Sequence, residues 1–174
     1  MFHAGEYVVD GFSGICKVEE MKELCMPGGV KARKYYALIP LQSDGSVVYS
    51  PVESDKAAIR RVMTAEEAES LIDSIPDIEP LEITNDKYRE EQYKSAMKTC
   101  DSREWIRIIK TLWLRGKERS RKGKQSTSVD SRYLKAAEDY LYTELSVALG
   151  KEKESMEAYI TNRIRTMEQE SCAE

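Results

Sequence analysis

Histidine occurs once in the 174 residues, at His3, near the start of the sequence where chains commonly fray. A Ser–His or Cys–His nucleophilic pair, or a histidine-ligated metal, would have to be built on that one imidazole, which argues against both. Cys16, Cys25, Cys100 and Cys172 are scattered, with no CxxC pair. That spacing suits reduced thiols in a cytoplasm and neither a zinc site nor a disulfide framework. There is no GxxxxGK[ST] and no GxGxxG to cradle a phosphate. The carboxylates fall mostly at helical spacings that suit exposed faces. No enzyme activity, cofactor or metal is therefore expected. The chemistry that does concentrate is electrostatic: RGKERSRKGK, residues 115–124, holds six basic side chains and one acidic one in a chain of formal net charge −4. Such a run holds a polyanion or lines a solvated loop.

The elements that would carry this run divide into two halves. Residues 1–80 hold 8 basic and 14 acidic residues, and residues 101–135 hold 11 and 4, so positive charge is confined to the middle of the second half. The first half offers short β-prone stretches: YVV (7–9), GICKVEEM (14–21), KYYALIPL (34–41) and SVVYSPV (46–52). Gly11, Pro27-Gly28-Gly29 and Asp44-Gly45 punctuate them as turns between antiparallel strands. A small curled sheet or partial barrel is expected. Thr64 and Glu67 form a capping-box pattern ahead of Ala68, Leu71, Ile72 and Ile75, which predicts a helix over 64–75. Pro76 and Pro80 then bracket PDIEP, and the domain boundary is placed there, giving domains 1–80 and 81–174.

Helices are predicted over 86–100, 102–120, 131–149 and 154–170, forming a compact bundle. Trp105, Ile109, Leu112 and Trp113 read as a buried stripe, with Asp101 and Glu104 as caps. The fold class is α+β, a β unit followed by an all-α unit. No apolar run approaches a membrane span and no export signal is visible, so a cytoplasmic protein, monomeric when free, is expected.

MFHAGEYVVDGFSGICKVEEM, with Phe2, Gly5-Glu6, Val8-Val9 and Gly14, resembles the opening of the CarD-type bacterial transcription regulators. The likeness continues through KYYALIPL, SPVE (50–53), IRR followed by TAEEA, REWIRIIKTLWLRGKER and RYLKAAEDYLYTELSVALG, in the family's order. A similar polymerase-binding module occurs in transcription-repair coupling factors, but those are large ATPases and no motor motif is present here. The resemblance implies an N-terminal Tudor-like (SH3-like) module that docks on the β subunit of bacterial RNA polymerase. It implies a helical domain that reaches promoter DNA at the upstream edge of the bubble and changes the lifetime of the open complex.

Carried onto this chain, the resemblance makes Ser46, Val47, Val48, Tyr49, Ser50 and Pro51 the polymerase-docking strand, with Arg33 and Lys34 as rim charge. An exposed strand edge can accept a partner's strand, and Pro51 suits an edge. In the helical half the family's wedge tryptophan is matched by Arg89, with Tyr88 beside it. An arginine in a narrow minor groove and an aromatic ring against an unstacked step are the substitutes this offers. Lys94 and Lys98, one helical turn apart, and Lys117, Arg119, Arg121, Lys122 and Lys124 in the basic run are candidate phosphate contacts. No residue is suited to reading base edges, so the partners expected are the polymerase β subunit and the promoter backbone. The competing reading is a Tudor-like adaptor for another protein strand, with a purely structural helical domain.

Overall fold

The computed structural model describes residues 1–25, 32–42, 45–53 and 59–171. The predicted turns at Pro27-Gly28-Gly29 and at Asp44, and Cys172, lie outside the described residues. The chain forms two compact units, Met1–Val62 and Met63–Glu174.

The first unit is a five-stranded antiparallel sheet: β1 (Tyr7–Asp10), β2 (Gly14–Leu24), β3 (Arg33–Pro40), β4 (Val48–Pro51) and β5 (Ile59–Arg61), in spatial order β4-β3-β2-β1-β5. Alternation along the strands sends Val8, Cys16, Val18, Tyr36 and Leu38 to one core, closed by Phe2, Val52 and Ile59. The Tyr36 hydroxyl accepts from the Phe2 N–H at 3.1 Å and the two rings meet edge to face, so the first residues are tied onto this core. Cys16 is a packing residue there, as a small apolar side chain should be. The register of β2 against β3 slips at Val18/Glu20, a bulge that bends the longer strand. Sequence reading passes over β5, whose three residues IRR are too short and too charged to announce a strand.

Among the described residues the second unit contains five α-helices: α1 (Ala65–Ser74), α2 (Arg89–Lys98), α3 (Ser102–Arg121), α4 (Ser128–Leu149) and α5 (Met156–Ser171). Thr64 and Glu67 make the full capping box: the Thr64 hydroxyl accepts from the Glu67 N–H, and the Glu67 carboxylate accepts from the Thr64 N–H at 2.8 Å. Asp101 caps α3 and Thr127 caps α4, while Gly150 ends α4 at φ 61°, in the left-handed region that favours glycine. Trp105, Tyr93, Ile72, Ile108, Leu145 and Met156 are the largest buried apolar side chains, and Trp105 meets Tyr140 edge to face.

Two expectations need correction. The units divide at residue 62/63, not at PDIEP, and α1 belongs to the helical unit. Its buried face, Ala68, Leu71 and Ile72, packs on α4 and α5. The prolines only end α1 in a 3-10 turn, Ile75–Asp77. The second correction concerns Trp113, which is 54% exposed. The buried face of α3 runs through Trp105, Ile106, Ile108, Thr111 and Leu112, and beyond Leu112 the helix leaves the core.

An ion-pair clasp joins α5 to α1. Arg163 makes two parallel hydrogen bonds to Asp73, at 2.5 and 2.8 Å, and Tyr159 donates to Glu69 at 2.5 Å. The Arg163 hydrogen bond holds the Asp73 carboxyl below its ordinary value of 3.8. The clasp's contribution is therefore complete above the ordinary aspartate range and is lost as pH falls through the lowered value. Acid melts should show helical-unit stability falling below pH 3.8 with a component that Asp73→Asn removes. An identical acid profile for both proteins would dismiss the clasp.

Candidate functional site

The sheet has two edge strands among the described residues, β4 and β5, and the candidate docking strand is β4. Its partner β3 receives the Val52 N–H on the Lys34 carbonyl at 3.0 Å, and Tyr35 and Ala37 lie opposite Pro51 and Tyr49. Along an antiparallel strand, backbone groups alternate between inward and outward. Val48, Ser50 and Val52 therefore direct their N–H and C=O groups to β3, while Tyr49 and Pro51 direct theirs outward. Proline has no N–H, so within β4 the free edge offers one donor, at Tyr49, with the carbonyls of Tyr49 and Pro51 as acceptors. The side chains divide differently. Ser46, Val47 and Tyr49 are exposed, the last two at 40% each, Val48 and Pro51 are half-buried, and Ser50 is buried. Arg33 and Lys34 are exposed at the start of β3.

In the helical unit the structure sorts the basic residues into those that hold the fold and those that face water. Arg89 is not free. Its Nε donates to Asp130 at 3.2 Å, and its Nη1 donates to the Asp86 carbonyl at 2.7 Å. Asp130 is almost fully buried and lies between two guanidiniums, with Arg115 Nε 3.6 Å from its second oxygen. Arg115 also donates to Asp86 at 2.7 Å. Burying a carboxylate requires this pairing, so both arginines are committed to it. The network carries a second consequence. It fastens the 3-10 turn Asp86–Tyr88 against α3 where the basic run begins, and leaves Tyr88 beside it 59% exposed.

Within the run, Arg119 Nε donates to the Gln125 carbonyl at 2.8 Å, closing the loop after α3. Lys122 pairs with Glu118 at 2.6 Å, which holds the Glu118 carboxyl below its usual range. Lys117 lies over the Trp113 ring, 3.5 Å from its centroid. Arg121 and Lys124 are exposed, and their side chains make no hydrogen bond or ion pair among the described residues. Lys94 and Lys98 are exposed on α2.

Sequence reasoning misses Trp113 and Leu114 as surface groups, although one signal was available. The residues that follow them, from Arg115 on, turn charged, as they do where a helix leaves its core. Asp130, 41 residues from Arg89, leaves no local signal. Among the described residues no group of three or more His, Cys, Asp or Glu is placed to hold a metal ion, and no helix is long and apolar enough to cross a membrane.

The chain thus combines a small sheet ending in edge strands with a helical unit whose α3 runs out of the core into a cationic end. The family comparisons divide the chain in the same way: residues 2–63 match the CarD-like/TRCF RID domain, and residues 71–161 match the CarD C-terminal domain. The chain belongs to the CarD family, which places it among the RNA-polymerase-interacting transcription factors. A comparison with curated proteins gave no match.

Proposed function

We propose that this protein docks through the β4 edge on the β subunit of bacterial RNA polymerase and contacts promoter DNA with its helical unit. The contact lies at the upstream edge of the transcription bubble, and its effect is to change the lifetime of the open complex. The observation that carries this reading is the free edge at Tyr49, in the unit that matches the polymerase-interacting family model. Binding one state of the promoter complex better than another shifts the equilibrium without any chemical step. On the DNA side the phosphate contacts fall to Lys94, Lys98, Lys117, Arg121 and Lys124, with Arg119 and Lys122 engaged within the protein. Tyr88 takes the aromatic role, and Arg89 supports its turn from behind.

The test is the half-life of open complexes formed with polymerase from the same organism, with and without the protein. An unchanged half-life at saturating protein overturns the reading. The double variant Arg121→Ala/Lys124→Ala should flatten the log–log salt dependence of DNA binding by about two units, one per lost phosphate contact. Lys122→Ala should alter it less, because that amine is already neutralised by Glu118. Equal slopes for the two variants would show that the pairing does not sort the run.

A further inference from the structure

Beside Trp113 is a groove of about 340 Å³, near the lower end of the roughly 300–1,000 Å³ of small-ligand sites. Pro76, Ile78 and Pro80 line it from the segment after α1, and Ile109, Trp113 and Leu114 line it from α3. It is pre-formed. The Lys110 amine donates to the carbonyls of Ile75, Pro76 and Ile78, at 2.5, 3.2 and 2.6 Å, and so pins that segment to α3.

We infer that this groove receives an unpaired nucleobase of single-stranded DNA, stacked against the Trp113 ring, with Lys117 and Arg121 on the adjoining phosphates. The inference rests on the promoter-contact reading above and assigns it a site. Three features select this occupant. First, the lining is apolar and aromatic, and its amine, Lys110, is already used by three carbonyls. A peptide strand would need partners for its main chain there, whereas a base needs only a π surface. Second, Trp113, Lys117 and Arg121 follow one another at i, i+4 and i+8 on α3, so the cations continue directly from the ring. That interleaving of aromatic and positive groups is the pattern of sequence-tolerant single-strand binding. Third, Trp113 and Leu114 are large apolar side chains left 54% and 49% exposed, with Lys117 over one face of the indole, so the base would take the other face. Glu79, the carboxylate in the lining, is exposed, so water and salt screen it from a nearby phosphate.

The test uses the full chain and its own fluorescence. Trp105 is fully buried and Trp113 half-exposed, so quenching by a bound base reports on Trp113. Titration with a short oligothymidylate at low salt should give saturable quenching. Trp113→Ala should weaken binding of that strand about tenfold, the loss of one stacked base, and leave a duplex of equal length unaffected. Trp113→Phe should keep most of the affinity. Melting curves of both variants verify the fold, which an exposed position tolerates. Equal weakening for strand and duplex, or none for either, overturns the inference. If the wild-type chain binds duplex but not single strand, the groove fails while the promoter contact stands. If it binds neither, the promoter contact fails as well. Quenching by polymerase without DNA, lost in Trp113→Ala, would assign the groove to a protein and overturn the inference too.

Discussion

Glu144→Ala should lower the stability of the full chain by about 3 kcal/mol, the sum of a cavity and two lost hydrogen bonds. Glu144 is completely buried on α4. One carboxylate oxygen accepts the Met63 N–H at 3.2 Å, and the other accepts the Ser102 hydroxyl at 2.7 Å. A single side chain thus joins the first residue of the helical unit, the start of α3 and the middle of α4. The carboxylate also faces the N-terminal turn of α3, where the helix dipole favours negative charge. Alanine removes both of these acceptors from a largely buried position. Glutamine keeps the shape and one acceptor but turns an N–H toward a donor, so Glu144→Gln should cost less, about 1 kcal/mol. Denaturant titrations of the three proteins decide this. Alanine and glutamine variants of equal stability would show that the hydrogen bonds contribute nothing beyond packing.

Tyr49→Glu should weaken polymerase binding at least tenfold, on the order of the 1.4 kcal/mol or more that an unpaired charge costs when desolvated in an interface. The melting temperature should barely move, because the side chain is exposed and the backbone of β4 is unchanged. Tyr49→Phe should bind nearly as well as the original. Ser50, one residue on, supplies the contrast. Its side chain is buried, so a bulky replacement there should damage the sheet first and binding as a result. Equal affinity of the Tyr49→Glu variant and the wild type would remove β4 from the interface.

Much of this architecture was readable from the sequence because the signals are local. Strands β1 to β4 are marked by alternation and turn residues, and the helices by caps and apolar spacing. Thr64 with Glu67, Asp101 and Gly150 do what their types require. The errors arise where a residue's partner is distant. Arg89 looks like a free cation until Asp130 is brought beside it. Arg115, at the start of the basic run, looks equally available until Asp86 and Asp130 are brought beside it. Trp113 fits the helical stripe through Ile109, and only the tertiary path of α3 reveals that the core ends before it. The prolines of PDIEP announce a break but cannot say which unit receives the helix before them. That depends on the faces of α4 and α5.

The proline in β4 bears on solubility. An edge strand with regularly spaced donors is a template that copies of the same chain can extend without limit, as in fibrils. Here the outward row within β4 has a donor at Tyr49 and none at Pro51, which interrupts the regular spacing that a growing ladder needs. On the proposed docking role, an edge that receives one partner's segment is in this way a poor template for self-propagation.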